Sequence, residues 1–117
     1  MIGITKIRNY FVIQKTGKTL MPPIHRHTDA RACGATTTVT GQDDVYSNNL
    51  LVSVDADPNN HGGGALSAAC DAVYVNSKLV VNHSPDGAAP DSLCPPLAGA
   101  HCAPDTAAGS PDVFVGD

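Results

Sequence analysis

One short phrase occurs three times in this chain: Asp44-Val45-Tyr46-Ser47-Asn48, Ala72-Val73-Tyr74-Val75-Asn76 and Asp112-Val113-Phe114-Val115-Gly116. A degenerate repeat this short means that one small β unit has been copied, which predicts approximate internal symmetry in place of a conventional core. The first two copies extend beyond the phrase. Asn48-Asn49-Leu50-Leu51-Val52 lies over Asn76-Ser77-Lys78-Leu79-Val80, and the alignment runs on until Asp55 falls opposite His83. Each reads as strand, two-residue turn, strand, because Asn-Asn and Asn-Ser tolerate the left-handed backbone that a tight hairpin demands. The third copy stops at Asp117 after one strand.

Between the hairpins run two stretches rich in Gly, Pro, Asp, Asn and Ala, Asp55 to Gly64 and Ser84 to Ala108, which predict loops and not long helices. Loops of that length need something other than a core to order them. Large buried side chains are scarce, with no Trp, 2 Phe and 3 Tyr beside 11 Gly and 9 Pro in 117 residues. A small all-β fold of this kind needs a staple, and the 5 His and 4 Cys are the candidates. The formal net charge of -4 and the lack of a basic cluster argue against nucleic acid or an anionic membrane as partner. No apolar run approaches a membrane span, and Met1 to Tyr10 carries no signal-peptide core, so the chain is expected to be made in a cytoplasm and to stay there unless a larger assembly carries it out.

The polar chemistry falls in three places: His25-Arg26-His27 with Cys33-Gly34, His61-Gly62-Gly63-Gly64, and the block from His83 to Cys102 that holds Cys94-Pro95-Pro96 and His101-Cys102. Imidazole and thiolate are the ligands that a borderline-soft ion such as zinc prefers, and four of them on one ion would cross-link loops that have no core. Two disulfides are the alternative, Cys94 with Cys102 or Cys33 with Cys70, although the absence of a secretory signal weighs against them. His25 reads as a solvent-exposed loop residue whose loss would be near neutral. Cys70, beside Ala68 and Ala69, reads as a packed small hydrophobe.

Met21-Pro22-Pro23 followed by Arg31 and Cys33-Gly34, then Asp57-Pro58-Asn59-Asn60-His61-Gly62-Gly63, Val73-Tyr74-Val75-Asn76-Ser77-Lys78, and Cys94-Pro95 with His101 together resemble the PAAR-repeat family over residues 21–117. The chain departs from that pattern in lacking Pro-Ala-Ala-Arg as such, in having Ser77 for the usual hairpin Gly, and in a longer insertion between Cys94 and His101. The resemblance implies a small cone-shaped, pseudo-threefold arrangement of β-hairpins and long loops stapled by a metal ion, zinc with iron as the alternative. It places the family's three His and one Cys on His61, Cys94 and His101, with His83 or Cys33 completing the tetrahedron; His83 is preferred because it keeps the ligand count, whereas Cys33 would keep the internal symmetry. It implies a non-enzymatic, monomeric tip that caps the trimeric β-helical spike of a contractile phage tail, at the baseplate of the virion, and meets the bacterial outer membrane transiently. A type VI secretion spike tip is the alternative within the family. From another class, a small zinc-dependent hydrolase could draw on Asp55, Asp57, His61, His83 and Asp86, but no motif with fixed catalytic spacing is present. A metal-storage or metal-sensing protein is a third class.

Residues 1–20 lie outside the resemblance. Ile2, Ile4, Tyr10, Val12 and the turn-like Thr16-Gly17-Lys18 predict a hairpin of their own. Five of the 7 basic residues, Lys6, Arg8, Lys15, Lys18 and Arg26, precede residue 27, so this arm is either solvated or a docking element for a neighbouring spike or baseplate chain.

Overall fold

The two predicted hairpins form where the repeat places them. The computed structural model describes residues 2–4, 22–70 and 73–115, and its strands are short: β1 (Ile2–Ile4), β2 (Tyr46–Ser47), β3 (Leu50–Leu51), β4 (Val73–Val75) and β5 (Lys78–Leu79). β2 pairs antiparallel with β3, and β4 with β5. The turns between them are left-handed at both central residues, with φ of 55° and 66° at Asn48 and Asn49 and of 51° and 69° at Asn76 and Ser77. That backbone matches the strand twist of a two-residue hairpin, which is why Asn recurs there. Among the described residues, helix is confined to one turn, α1 (Cys94–Leu97), and a 3-10 turn at Gly99–Cys102. The described chain is therefore a small domain of short strands and ordered loops.

The third repeat does not end unpaired. Val52 donates its amide to the Val45 carbonyl and Val80 to that of Val73, both at 3.0 Å; in the third unit Ile24 donates to Val113 at 2.9 Å. Residues 22–24 thus supply the missing second strand, and Val115 donates in turn to Pro22. Ile24, Val52 and Val80 stand 28 residues apart along the chain. The sequence alignment shows this step between the first two hairpins but not at the third, where two ends of the chain build one hairpin.

The same step governs how the units join. The amide of His25 donates to Val81, that of Val81 to Ser53 and that of Ser53 back to His25, at 3.0, 3.0 and 2.9 Å. A second set surrounds it: His27 to Leu51, Asp55 to Leu79 and His83 to Pro23, at 2.8, 2.8 and 2.7 Å. The backbone therefore closes on itself with threefold regularity, and the buried polar groups of each central segment are satisfied by its two neighbours. The side chains around this closure are small and β-branched. Ile24, Val52 and Val80 form one set and Val45, Val73 and Val113 another, all at most 1% exposed and all in one apolar cluster. A position repeated around a common axis has to fit there three times, which favours valine over aromatic rings.

Neighbouring hairpins are clasped near their turns by Asn48, which donates to Asp112, and Asn76, which donates to Asp44. At one corner β1 adds a parallel strand beside β4, with Ile2 opposite Val73 and Ile4 opposite Val75. The expected turn at Thr16-Gly17-Lys18 and the basic arm through Lys18 lie outside the described residues.

His25 differs from the sequence expectation. It is fully buried, with Nδ1–H donating to the Ala108 carbonyl at 2.7 Å and Nε2 lying 2.6 Å from the Thr37 hydroxyl. The Thr37 oxygen accepts from Arg31 Nε, so its own hydrogen is free to point at His25, and the neutral imidazole fits this chain of donors. Burial pushes the His25 pKa down from 6.5 to about 4.

Two outcomes are expected. An Asp at Val45, Val73 or Val113 places a charge at an equivalent buried position in each unit, and each variant should lose about 4 kcal/mol or more in urea unfolding, while Asp at the exposed Leu97 should change little. For His25, the unfolded chain takes up a proton that the fold excludes. The stability tied to its neutral form is complete above pH 6.5 and is lost as the pH falls towards 4, by about 3 kcal/mol. His25→Asn should remove that part of the acid sensitivity; equal pH slopes in the two proteins would contradict the assignment.

Candidate metal centre

Beyond the closure each unit continues into a loop, and the loops begin at equivalent positions. The amide of Arg31 donates to Ala35, that of Asn59 to Gly63 and that of Asp91 to His101, at 2.8, 2.6 and 2.9 Å. The first two bonds enclose short loops, residues 32–34 and 60–62, with Cys33 and His61 at their middle positions. The third encloses residues 92–100, and its two feet, Asp91 and His101, both face the same point as Cys33 and His61. One donor atom from each of these four residues lies within 4.8 Å of the others.

The spacing suits one ion. Asp91 Oδ2 stands 3.3 Å from His101 Nδ1, 3.7 Å from His61 Nδ1 and 3.6 Å from Cys33 Sγ, and Cys33 Sγ is 3.9 Å from His61 Nδ1. Tetrahedral bonds of zinc-like length require ligand atoms about 3.3–3.6 Å apart. A small contraction of the loops would thus bring this cluster onto a metal ion, and the S, N, N and O donor set is one that zinc or iron accepts.

Local chemistry holds the donors in place. Asn59 Oδ1 accepts the His61 amide at 2.8 Å, and Asp91 Oδ1 accepts the Leu93 amide at 2.9 Å, so the same side-chain turn is built on both positions. Asn59 Nδ2 then donates to Asp91 Oδ2 at 3.0 Å, orienting the oxygen that faces the cluster. Asp91 is buried, which works against its ionisation, yet the hydrogen bonds from Asn59, Leu93, His101 and Cys33 hold its carboxyl down at about 2. It is a carboxylate at any physiological pH. Beneath the cluster the buried Arg31 guanidinium donates to the carbonyls of Gly64, Pro104 and Asp57, tying three segments to the foot of the first loop. Desolvation lowers the Arg31 pKa to about 10, which leaves it cationic at neutral pH.

The glycines after His61 are a matter of space. A Cβ at Gly63 would sit 3.0 Å from Asp91 Cα, and one at Gly64 would sit 2.6 Å from Asn59 Nδ2. The missing side chain at Gly63 lets the second unit approach Asp91, and that at Gly64 leaves Asn59 room to orient the carboxylate.

Of the residues singled out in the sequence, the structure brings together His61, His101 and Cys33, and it adds Asp91. It does not bring His83 or Cys94 to them. His83 belongs to the level of the closure, where its amide is the counterpart of those of His27 and Asp55, and its ring bonds the Thr106 hydroxyl at 3.0 Å. Cys94 is joined to Cys102 in a disulfide, so its sulfur is not a thiolate donor. Cys33 and Cys70 are free thiols, and Cys70 is packed in the apolar cluster as its Ala neighbours suggest. Asp91 was legible in one respect: it stands where Asn59 stands in the preceding unit. Between His83 and Asp91 the chain runs 8 residues where Asp55 to Asn59 runs 4, and these extra residues hide that alignment.

No protein-family model, curated protein or solved structure matches the chain.

The ligand assignment can be read by metal analysis after loading with zinc and desalting. Cys33→Ser, His61→Ala and Asp91→Asn should each fall well below one ion per chain, since losing one of four ligands leaves an incomplete shell. His83→Ala and Cys70→Ser should retain a full ion. Loss of metal from His83→Ala equal to that from His61→Ala would restore the ligand set implied by the resemblance.

Proposed function

We propose that this chain is a metal-stapled tip that caps the trimeric β-helical spike of a contractile phage tail, as PAAR-repeat proteins do. The observation that carries this reading is the threefold closure of a single chain. A trimer ends in three identical surfaces, and one monomer can meet them all if its backbone offers three near-equivalent faces. The units defined by the 28-residue step are suited to that role. Strand edges and hairpin turns left at such a face are natural sites for main-chain pairing with a β-rich partner, which also disposes of edges that would otherwise aggregate.

In this reading the metal is structural. Cys33, His61, Asp91 and His101 fill four positions with protein ligands, leaving no place for an activated water, and zinc is the ion best suited to them, with iron as the alternative. The thiolate and the carboxylate together balance the charge of a divalent ion. The ion would join loops from all three units, so a load on one is shared by the others. The tip then works by shape and stiffness, helping a spike to breach the outer membrane during contraction, and not by catalysis. A type VI secretion spike makes the same geometric demand.

Mixing the purified chain with a trimeric spike should yield a complex of one chain per three spike chains, and electron microscopy of assembled tails should show its density at the distal end of the spike. A ratio of three per spike, or a position elsewhere in the particle, would end this proposal.

A further inference from the structure

The third loop is unlike the other two in what holds it. Loops 32–34 and 60–62 are short enough for one closing hydrogen bond to fix their course. Loop 92–100 is three times as long, and neither α1 nor the 3-10 turn within it contains a buried residue. At its start Ser92 donates to the His61 carbonyl and Leu93 to Asp91 Oδ1, but beyond that Leu97 donates to Leu93, Ala98 to Cys94, and His101 to Ala98 at a long 3.4 Å. Packing therefore does little to order it. The covalent link between Cys94 and Cys102 spans nearly the whole loop, and it lies beside both donors that the loop provides. Cys102 follows His101 directly, while the Cys94 amide donates to the carbonyl of Asp91 at 3.1 Å.

We infer that the Cys94–Cys102 disulfide is a redox control on the metal centre, holding His101 in its ligating position beside the buried Asp91 when oxidised and releasing it when reduced. This rests on the reading of Cys33, His61, Asp91 and His101 as a metal centre. The control step is thiol–disulfide exchange with a dithiol. One thiolate of the dithiol attacks a sulfur of the pair and breaks the Cys94–Cys102 bond; its second thiolate then resolves the mixed disulfide. The chain gains two electrons and, once its thiolates are protonated, two protons, and the dithiol leaves as a disulfide. In a reducing cytoplasm the third loop would sample many conformations and hold the ion weakly. In an oxidising compartment or outside the cell the loop is closed and His101 is preset beside Asp91. The ordering entropy that a link of this length removes corresponds to an affinity change on the order of tenfold to a hundredfold.

The test measures zinc affinity by competition with a chromophoric chelator, comparing the oxidised chain with a Cys94→Ser/Cys102→Ser double variant. The variant should bind zinc on the order of tenfold to a hundredfold more weakly while still reaching one ion per chain at saturation. Reduced wild-type protein, freed of reductant under nitrogen, should behave as the variant does, and it serves as the comparison if the variant does not fold. Equal affinity, or tighter binding in the reduced or substituted protein, overturns the redox control and leaves the metal centre standing. Failure of the oxidised chain to bind zinc at all overturns the metal centre itself, and the control with it.

Discussion

Three backbone hydrogen bonds, from His25 to Val81, Val81 to Ser53 and Ser53 to His25, set the terms for the rest of the molecule. A closed cycle of this kind brings three segments to equivalent positions at nearly equal distances. It therefore imposes the same local conformation on chemically different residues: His25, Ser53 and Val81 share no side-chain chemistry but are all buried in it. What the cycle demands of its surroundings is small apolar volume repeated three times, and the sets of Val and Ile around it meet that demand. It also explains how a chain with so few aromatic residues can form an ordered interior. Most of the order comes from satisfied backbone groups and close packing of β-branched side chains, not from a few large buried rings.

The scaffold is regular, whereas the chemistry placed on it is not. At the loop feet Arg31, Asn59 and Asp91 occupy one structural position, yet they act as a cation that braces, an amide that orients and a carboxylate that faces the cluster. A symmetric set of three ligands would leave a four-coordinate ion one short. The longer third loop resolves this by offering both of its feet, Asp91 and His101, while the first two loops offer Cys33 and His61 from their midpoints. Symmetry thus brings three loops together, and a local departure from symmetry completes the donor set. The same departure leaves loop 92–100 without packing, where the Cys94–Cys102 link stands in for it.

Much of this was legible in the residues. The repeated Val-Tyr phrase and the Asn-Asn and Asn-Ser turns located both hairpins, because turn chemistry is local and strand alternation is short-ranged. The alignment of Asp55 with His83 already contained the argument against His83 as a ligand: residues at that step share a level, and Cys33 and His61 lie further along their own units. The ligand set implied by the family resemblance, three His and one Cys, favoured His83 and Cys94 instead. The symmetry consideration that spoke for Cys33 was the physically sounder guide. Two features were not accessible from local pattern. The third hairpin is assembled from residues 22–24 and 113–115, a pairing with no signature in either segment alone. The burial of His25 depends on Thr37, Arg31 and Ala108 converging on it from distant parts of the chain.

Each unit is anchored twice, once at the closure and once at the donor cluster, and the length of chain between the anchors decides how much freedom is left. From His27 to Cys33 and from Asp55 to His61 the chain has few residues to spare, and in both it is further restrained by an aspartate: Asp29 accepts the Arg26 amide and Asp57 that of Val54, at 2.9 and 2.8 Å. A left-handed residue precedes each, Thr28 with φ of 71° and Ala56 with φ of 76°. These segments cannot adjust much, so Cys33 and His61 are presented by rigid arms and the third loop must do any adapting. For a metal-stapled tip this division has a mechanical meaning. In that proposal two fixed arms would define where an ion sits, and the third loop, once locked by its disulfide, would close the cage around it. Binding free energy would then go largely into ordering a single loop, with the remainder of the fold defined by the backbone cycle.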